Sequence, residues 1–257
     1  PLTPHLAVYG FEPDKEACSL LNEQTERFAK ALFFPYVIGG AQEKRNFHFA
    51  RYGECSSLLL PTKEWLSRFS YGNCFDIIQT KETYTRTLHE LAEINHEEID
   101  AIKIDSQGME IPILQGAGGV LKQAFLLEIE TGMHENYRDE TTFDQLAPFL
   151  RRQGFTCMQL NTQPAETRNN SANQWKENKG QSMACESIWL RDLVNHTPDA
   201  FELSISKAYR CLSLCALFGF LDFGMELSIH FQKEGILDKE QFIELQQEDF
   251  WRILPEK

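Results

Sequence analysis

The sequence lacks the features that would build a thiolate metal site, a redox dithiol or a membrane span. Its seven cysteines, Cys18, Cys55, Cys74, Cys157, Cys185, Cys211 and Cys215, include no C-x-x-C pair. Neither a zinc site nor a redox dithiol is therefore indicated. An odd number at wide spacing reads instead as buried free thiols in a reducing compartment, and a cytoplasmic location is expected. The longest uncharged apolar run, Cys211 to Leu221, is too short to cross a bilayer, and no secretory leader is visible. Positive charge is also scarce. Lys and Arg number 25 against 38 Asp and Glu, for a net charge of −13. A nucleic-acid backbone is disfavoured as the main partner, because it needs clustered cations.

What is present is 257 residues at 42% hydrophobic and 25% charged, enough for one large α/β domain or a domain plus an appendage. Leu6–Phe11 reads as a buried strand closed by Glu12-Pro13-Asp14. Asp14 is placed to cap a helix whose apolar face is Ala17, Leu20, Leu21, Phe28 and Leu32. Tyr36–Ile38, Asn46–Arg51 and Phe75–Gln79 read as short strands, and Thr87–Ile94 as a short helix. "IDAIKIDSQGMEIPILQGA" (99–117) holds a buried strand that ends in Asp105, then a turn, then a helix stopped by Gly116. Ala124–Glu130 is a second buried strand ending in acid. Thr141–Gln153 is a helix bent by Pro148, and Phe155–Leu160 and Glu186–Arg191 are the last strands. This alternation predicts α/β architecture: a mostly parallel sheet with helices on both faces. Ligands of such sheets lie off the carboxyl ends of the strands, where Glu12, Asp105 and the Glu128/Glu130 pair stand. The polar stretch Asn161–Ala184 reads as a mobile segment or a substrate lid. Beyond it the pattern is helical. Thr197-Pro198-Asp199 predicts a helix start and Asp238 with Gln241 a capping box. The division expected is an α/β domain over 1–193 and an all-helical C-terminal extension over 194–257. That extension packs on the domain or, as a homodimer contact, on a second copy.

Four stretches together resemble the FkbM-type methyltransferases: "YGFEPDKEACSLLN" (9–22), "GECSSLLLP" (53–61), "IDAIKIDSQGMEIPILQGA" (99–117) and "LLEIETGMHENY" (126–137). They look like that family's second strand and acid, its serine-rich loop, its fourth-strand signature and its fifth strand. The resemblance covers about 1–191. It implies a Rossmann-like sheet, S-adenosylmethionine as cofactor, and methylation of a hydroxyl on a sugar or other small acceptor. Gln107 stands where the family more often has Glu, and His89 where Asp is common. The family's central first strand and glycine-rich loop have no counterpart here. Unpaired buried backbone groups cost about 1–3 kcal/mol each, so the sequence is expected to be an N-terminally incomplete stretch of a longer protein. "GAGG" (116–119) follows a helix rather than a strand and is not that loop.

The roles implied are as follows. Glu12 holds the ribose hydroxyls of the cofactor, unless it only complements a helix N-terminus. Asp105 holds or deprotonates the acceptor, or holds the cofactor's ammonium group. The alternative is a turn cap bonding the amides of Gln107 and Gly108. Only one of Glu128 and Glu130 is expected to face the site, and the family pattern selects Glu128. His134 is a further catalytic candidate, Ser57 and Tyr137 are assigned to substrate, and Glu110 starts a helix with or without a role. No spacing demands a metal. Two other readings stand beside the methyltransferase: a nucleotide-dependent oxidoreductase, and a degenerate domain used as a non-catalytic assembly module.

Overall fold

The computed structural model describes residues 3–162, 165–170, 175–195, 198 and 201–251. Strand β1 (Ala7–Phe11) leads into helix α1 (Lys15–Asn22). Asp14 caps α1 as expected, accepting from the amides of Glu16 and Ala17 at 2.9 Å. The helix ends at Asn22, so the apolar face read as far as Leu32 ran too long. Leu32 lies in strand β2 (Lys30–Phe34), opposite Tyr9 in a parallel ladder. The cause is Asn22. Its side chain donates to Phe33 O at 2.9 Å and accepts from Phe33 N at 3.0 Å, which clasps the returning chain beside the helix. β1 is half-buried rather than buried, because β1 and β2 form a sheet of their own.

A second sheet takes strands β3 (Val37–Ile38), β4 (Lys44–Ala50) and β5 (Ile77–Arg86) in the order β3-β5-β4. The short helix α2 (Lys63–Leu66) lies between β4 and β5 in the chain. β5 is longer than the sequence suggests, and the helix expected over 87–94 is only a 3-10 turn at Leu88–Glu90. Alternating Thr83 and Thr85 point inward along β5, and Thr85 Oγ1 donates to Ala41 O at 2.7 Å. That β-branched spacing extends the strand.

The third sheet carries the centre of the molecule. Strand β6 (Ala101–Ile104) is followed by α3 (Glu110–Gly116), α4 (Gly119–Gln123), β7 (Leu126–Gly132), α5 (Phe143–Arg152), β8 (Phe155–Thr162) and β9 (Ala184–Arg191). The order is β6-β7-β9-β8, with β6 and β7 parallel and β9 antiparallel to both its neighbours. The single mostly parallel sheet of expectation is thus three sheets with both kinds of pairing. The carboxyl ends of β6, β7 and β8 and the start of β9 share one edge.

Helices do cover both faces of this third sheet. Leu127, Ile129 and Trp189 pack with Ile113, Leu114, Val120, Leu146 and Leu150 of α3, α4 and α5. Leu126, Ile188 and Leu190 pack with α6 (Ile205–Phe218) and α7 (Leu221–Lys233) through Ala208, Leu212, Leu227 and Phe231. Side chains alternate along a strand, so Glu128 and Glu130, two residues apart, share the face of Leu126. The expectation that only one of them points toward the site is corrected on that ground.

α6 starts at Ile205, capped by Ser204, whose hydroxyl accepts from Lys207 N at 3.1 Å. The start expected at Thr197-Pro198-Asp199 falls on residues 197 and 199, outside the described residues. Helices α8 (Lys239–Leu245) and α9 (Glu248–Trp251) follow, and the Asp238–Gln241 capping box forms with both bonds at 2.9 Å. α6 is fastened to the sheet by a buried lysine. Lys207 donates to Asp100 Oδ1 at 2.7 Å and to Ile99 O at 2.8 Å, and Arg210 Nε meets Asp100 Oδ2 at 2.7 Å. Among the described residues, no helix is long and apolar enough to cross a membrane.

At the end of β9, Arg191 is buried and donates to three carbonyls: Ala124 at 3.0 Å, Gln153 at 2.8 Å and Leu121 at 2.9 Å. Arg191→Met keeps most of the volume and orphans all three. It is expected to lower the free energy of unfolding by about 3 kcal/mol, measured by urea titration against the parent chain.

Candidate functional site

β6 ends on buried Ile104, and the next residue, Asp105, is exposed. The chain then turns through Gln107 (φ 53°) and Gly108 (φ 107°). Glycine is required at 108. Its φ is positive, and a Cβ there would lie 2.8 Å from Leu59 Cδ1 and 3.1 Å from Glu140 Cγ. Gln107 tolerates its left-handed backbone because three bonds hold it. Its carbonyl accepts from Ser57 Oγ at 2.7 Å, its Nε2 donates to Asp105 Oδ1 at 2.7 Å, and its Oε1 accepts from the Tyr137 hydroxyl at 3.1 Å. The Tyr137 proton is shared with Cys55 O at 2.8 Å. Asp105, Gln107, Tyr137, Cys55 and Ser57 are therefore one hydrogen-bonded group at the carboxyl edge of the third sheet.

Asp105 does not cap the turn. Gly108 N donates to Glu110 Oε1 at 2.9 Å, and the sole hydrogen bond to Asp105 among the described residues comes from the Gln107 side chain. Its second oxygen is free for a ligand. Glu130 lies near it. Burial raises the Glu130 pKa, and the charges of Asp105 and Glu186 raise it further. Burial also pushes the Cys55 thiol up to about 12, helped by Cys74, Glu54, Asp105 and Glu130, so this cysteine stays a thiol. Glu128 sits one pleat further from the edge and is ion-paired to Lys103, which also reaches Glu186 at 3.5 Å.

The remaining sequence candidates separate. Ser57 is buried, and its oxygen is used twice, donating to Gln107 O and accepting from Leu59 N at 3.0 Å. Tyr137 is buried too, and burial holds its phenol far above the usual range. Both hydroxyls support the turn from beneath. His134 is exposed, with its ring 5.0 Å from that of Trp65 and its Nε2 2.6 Å from Gln181 Nε2. Glu12 lies on the first sheet and accepts from Asp14 N at 2.8 Å. No hydrogen bond among the described residues joins it to the Asp105 group.

Sequence reasoning missed the hub, Gln107, although a bulky residue before a glycine at a strand end was its signal. It also missed Glu140, which nothing in its neighbourhood marks. Glu110 and Glu140 are buried beneath the turn. Glu110 accepts from Ser106 Oγ and Gly108 N, Glu140 from Tyr137 N. Burial raises Glu110 to about 7 and Glu140 to about 8, against the hydrogen bonds they accept, which lower them; the charge of Asp105 adds to the rise at Glu110 and that of Glu110 to the rise at Glu140.

The architecture is a mixed α/β domain with carboxylates along the edge formed by its strand ends. A family model of the FkbM methyltransferase domain matches residues 2–157, which contain β1 through the start of β8 and every member of the Asp105 group. The chain belongs to the FkbM methyltransferase family, and its reaction class is methyl transfer. Searches of curated proteins and of solved structures gave no match.

The two buried carboxyls give a pH dependence of definite sign. Their folded pKa values lie above the unfolded ones, so the native state keeps protons that the unfolded chain has released. Stability therefore falls as pH rises from about 5 to about 8. Glu140→Gln, which still accepts from Tyr137 N, is expected to flatten that fall. Thermal unfolding followed by circular dichroism across the range checks it, and parallel slopes in the two proteins would contradict it.

Proposed function

We propose that this protein methylates a hydroxyl group, on a sugar or another small acceptor, with S-adenosylmethionine as donor. The observation that carries this reading is Asp105: an exposed carboxylate at the end of β6, oriented by Gln107 through one oxygen and open at the other. The strand order also fits a Rossmann-like methyltransferase sheet, with β6 and β7 parallel and a reversed β9 beside them. In the same reading, residues 1–193 form the catalytic domain and 194–257 a helical extension docked on it.

The donor, when bound, supplies the methyl group from a sulfonium carrying positive charge beside a cationic ammonium. Asp105 and Glu130 line the edge with negative charge, a donor set that fits such a cation. An acceptor hydroxyl must lose its proton as its oxygen bonds carbon. Asp105 Oδ2 is the group placed to hold and take that proton. Gln107 keeps Asp105 from turning away, and Tyr137, un-ionised, keeps Gln107 in place. Glu12, at the end of β1, would accept from the ribose hydroxyls. Glu128 acts on the edge through Lys103, and His134 stands on the acceptor side.

Calorimetric titration of S-adenosylhomocysteine into the full-length protein tests the reading. Saturable binding is expected, weakened about tenfold or more in Glu12→Ala, since that change removes charge-assisted bonds. Asp105→Asn is expected to lower kcat about a hundredfold or more. A folded protein that shows no binding would overturn the proposal.

A further inference from the structure

Beside the Asp105 group lies a second cluster, of aromatic and cationic side chains. Trp65, just after the start of α2, is half-buried. The Arg68 guanidinium sits 4.9 Å from the centre of its ring and that of Arg168 5.3 Å, and Arg168 also lies 4.2 Å over Phe69. Arg168 comes from the stretch between β8 and β9, which is tied to the α2 region by Ser70 N to Thr167 O (3.3 Å) and Asn169 N to Arg68 O (2.7 Å). Arg168 Nη2 donates to Gln181 Oε1 at 2.5 Å, and Gln181 Nε2 faces His134 Nε2. With that amide orientation His134 Nε2 accepts, and the ring proton is on Nδ1.

Two facts set this cluster apart. Among the described residues, Arg168 Nη1 and the Tyr71 hydroxyl are buried and have no hydrogen-bond partner. In a chain with 38 carboxylates and a net charge of −13, no ion pair within 4.0 Å joins Arg68 or Arg168 to an acid among the described residues. Glu166 is close enough to raise the Tyr71 phenol yet pairs with neither. Buried charged donors without acceptors are costly, and a guanidinium fork matches an oxyanion. The cluster also adjoins the reaction edge through one loop. Tyr137 supports the Asp105 turn, while Asn136 accepts from Trp65 Nε1 at 3.4 Å and His134 packs on the same indole.

We propose that this cluster anchors an oxyanion carried by the acceptor, a carboxylate or phosphate on a sugar, with Arg168 Nη1 and the Tyr71 hydroxyl as donors and Arg68 as the outer cation. The inference rests on the methyltransferase reading and names the acceptor's class.

The test titrates D-glucuronate, D-glucose 6-phosphate and D-glucose into the parent chain, Arg168→Gln and the surface variant Arg68→Gln. S-adenosylhomocysteine is titrated separately into each. At least one charged sugar is expected to bind about tenfold or more tightly than glucose. Arg168→Gln should abolish that preference, Arg68→Gln should reduce it severalfold, and S-adenosylhomocysteine affinity should stay within about twofold. If Arg168→Gln does not fold, the charged-against-neutral comparison and Arg68→Gln decide. Equal affinity for charged and neutral sugars, no sugar binding, or unchanged binding in the variants overturns the anchor. S-adenosylhomocysteine binding without charged-sugar binding overturns the anchor alone. Charged-sugar binding without S-adenosylhomocysteine binding upholds the oxyanion site and removes the methyltransferase reading instead.

Discussion

The buried guanidinium of Arg191 holds the parts of this molecule in relation to one another. Helix C-termini leave carbonyls without partners and carry partial negative charge. Arg191 supplies the missing donors to Leu121 and Ala124 at the end of α4 and to Gln153 at the end of α5. Its plane also lies 4.2 Å over Phe155 and 5.5 Å from Phe201, which belong to the cores on opposite faces of the third sheet. Burial lowers its pKa only to about 10, so the charge persists at neutral pH. One residue thus locks two helices to β9, and β9 in turn sets β7, which carries Glu128 and Glu130.

The outward face of β7 changes character along its length. Leu126 lies under α6 and α7, while Glu128 and Glu130 lie beyond them, half-buried. Lys103 binds Glu128 and Glu186, so negative charge is neutralised in the middle of the sheet and left standing at its rim around Asp105 and Glu130. Beneath the same rim the arrangement is opposite. Glu110 and Glu140 are closed off from water, and their high pKa values make them hydrogen-bonding struts more than charges. Carboxylates of one chemical type therefore do two jobs according to depth.

Local signals in the sequence were read correctly where the cause is local. Asp14 and the Asp238–Gln241 pair cap the helices they precede, because a cap needs only its own next three residues. Asp105 stands at a strand's carboxyl end for the same reason. The reading failed where a distant partner decides. Leu32 looked helical by spacing, but Asn22 turns the chain into β2. No local spacing shows that Ser57 and Tyr137 each spend a hydroxyl on Gln107, a residue 50 and 30 positions away. Nor does local pattern show the ion pair of Glu128 with Lys103, which the ladder between β6 and β7 sets. The family itself was legible, since four motifs in order carry more information than any one.

The antiparallel ladder between β8 and β9 runs up to Thr162 opposite Cys185. Whatever the length of chain between those two residues, its feet are fixed side by side at the carboxyl edge of the third sheet. Lengthening a loop with anchored ends costs little, about 0.6 kcal/mol for each doubling. Within that stretch Arg168, Asn169 and Gln181 are tied back to Phe69, Arg68 and His134, so changes of length are cheapest away from those contacts. The ladder thus lets one excursion of the chain differ in length while β8 and β9 keep their register.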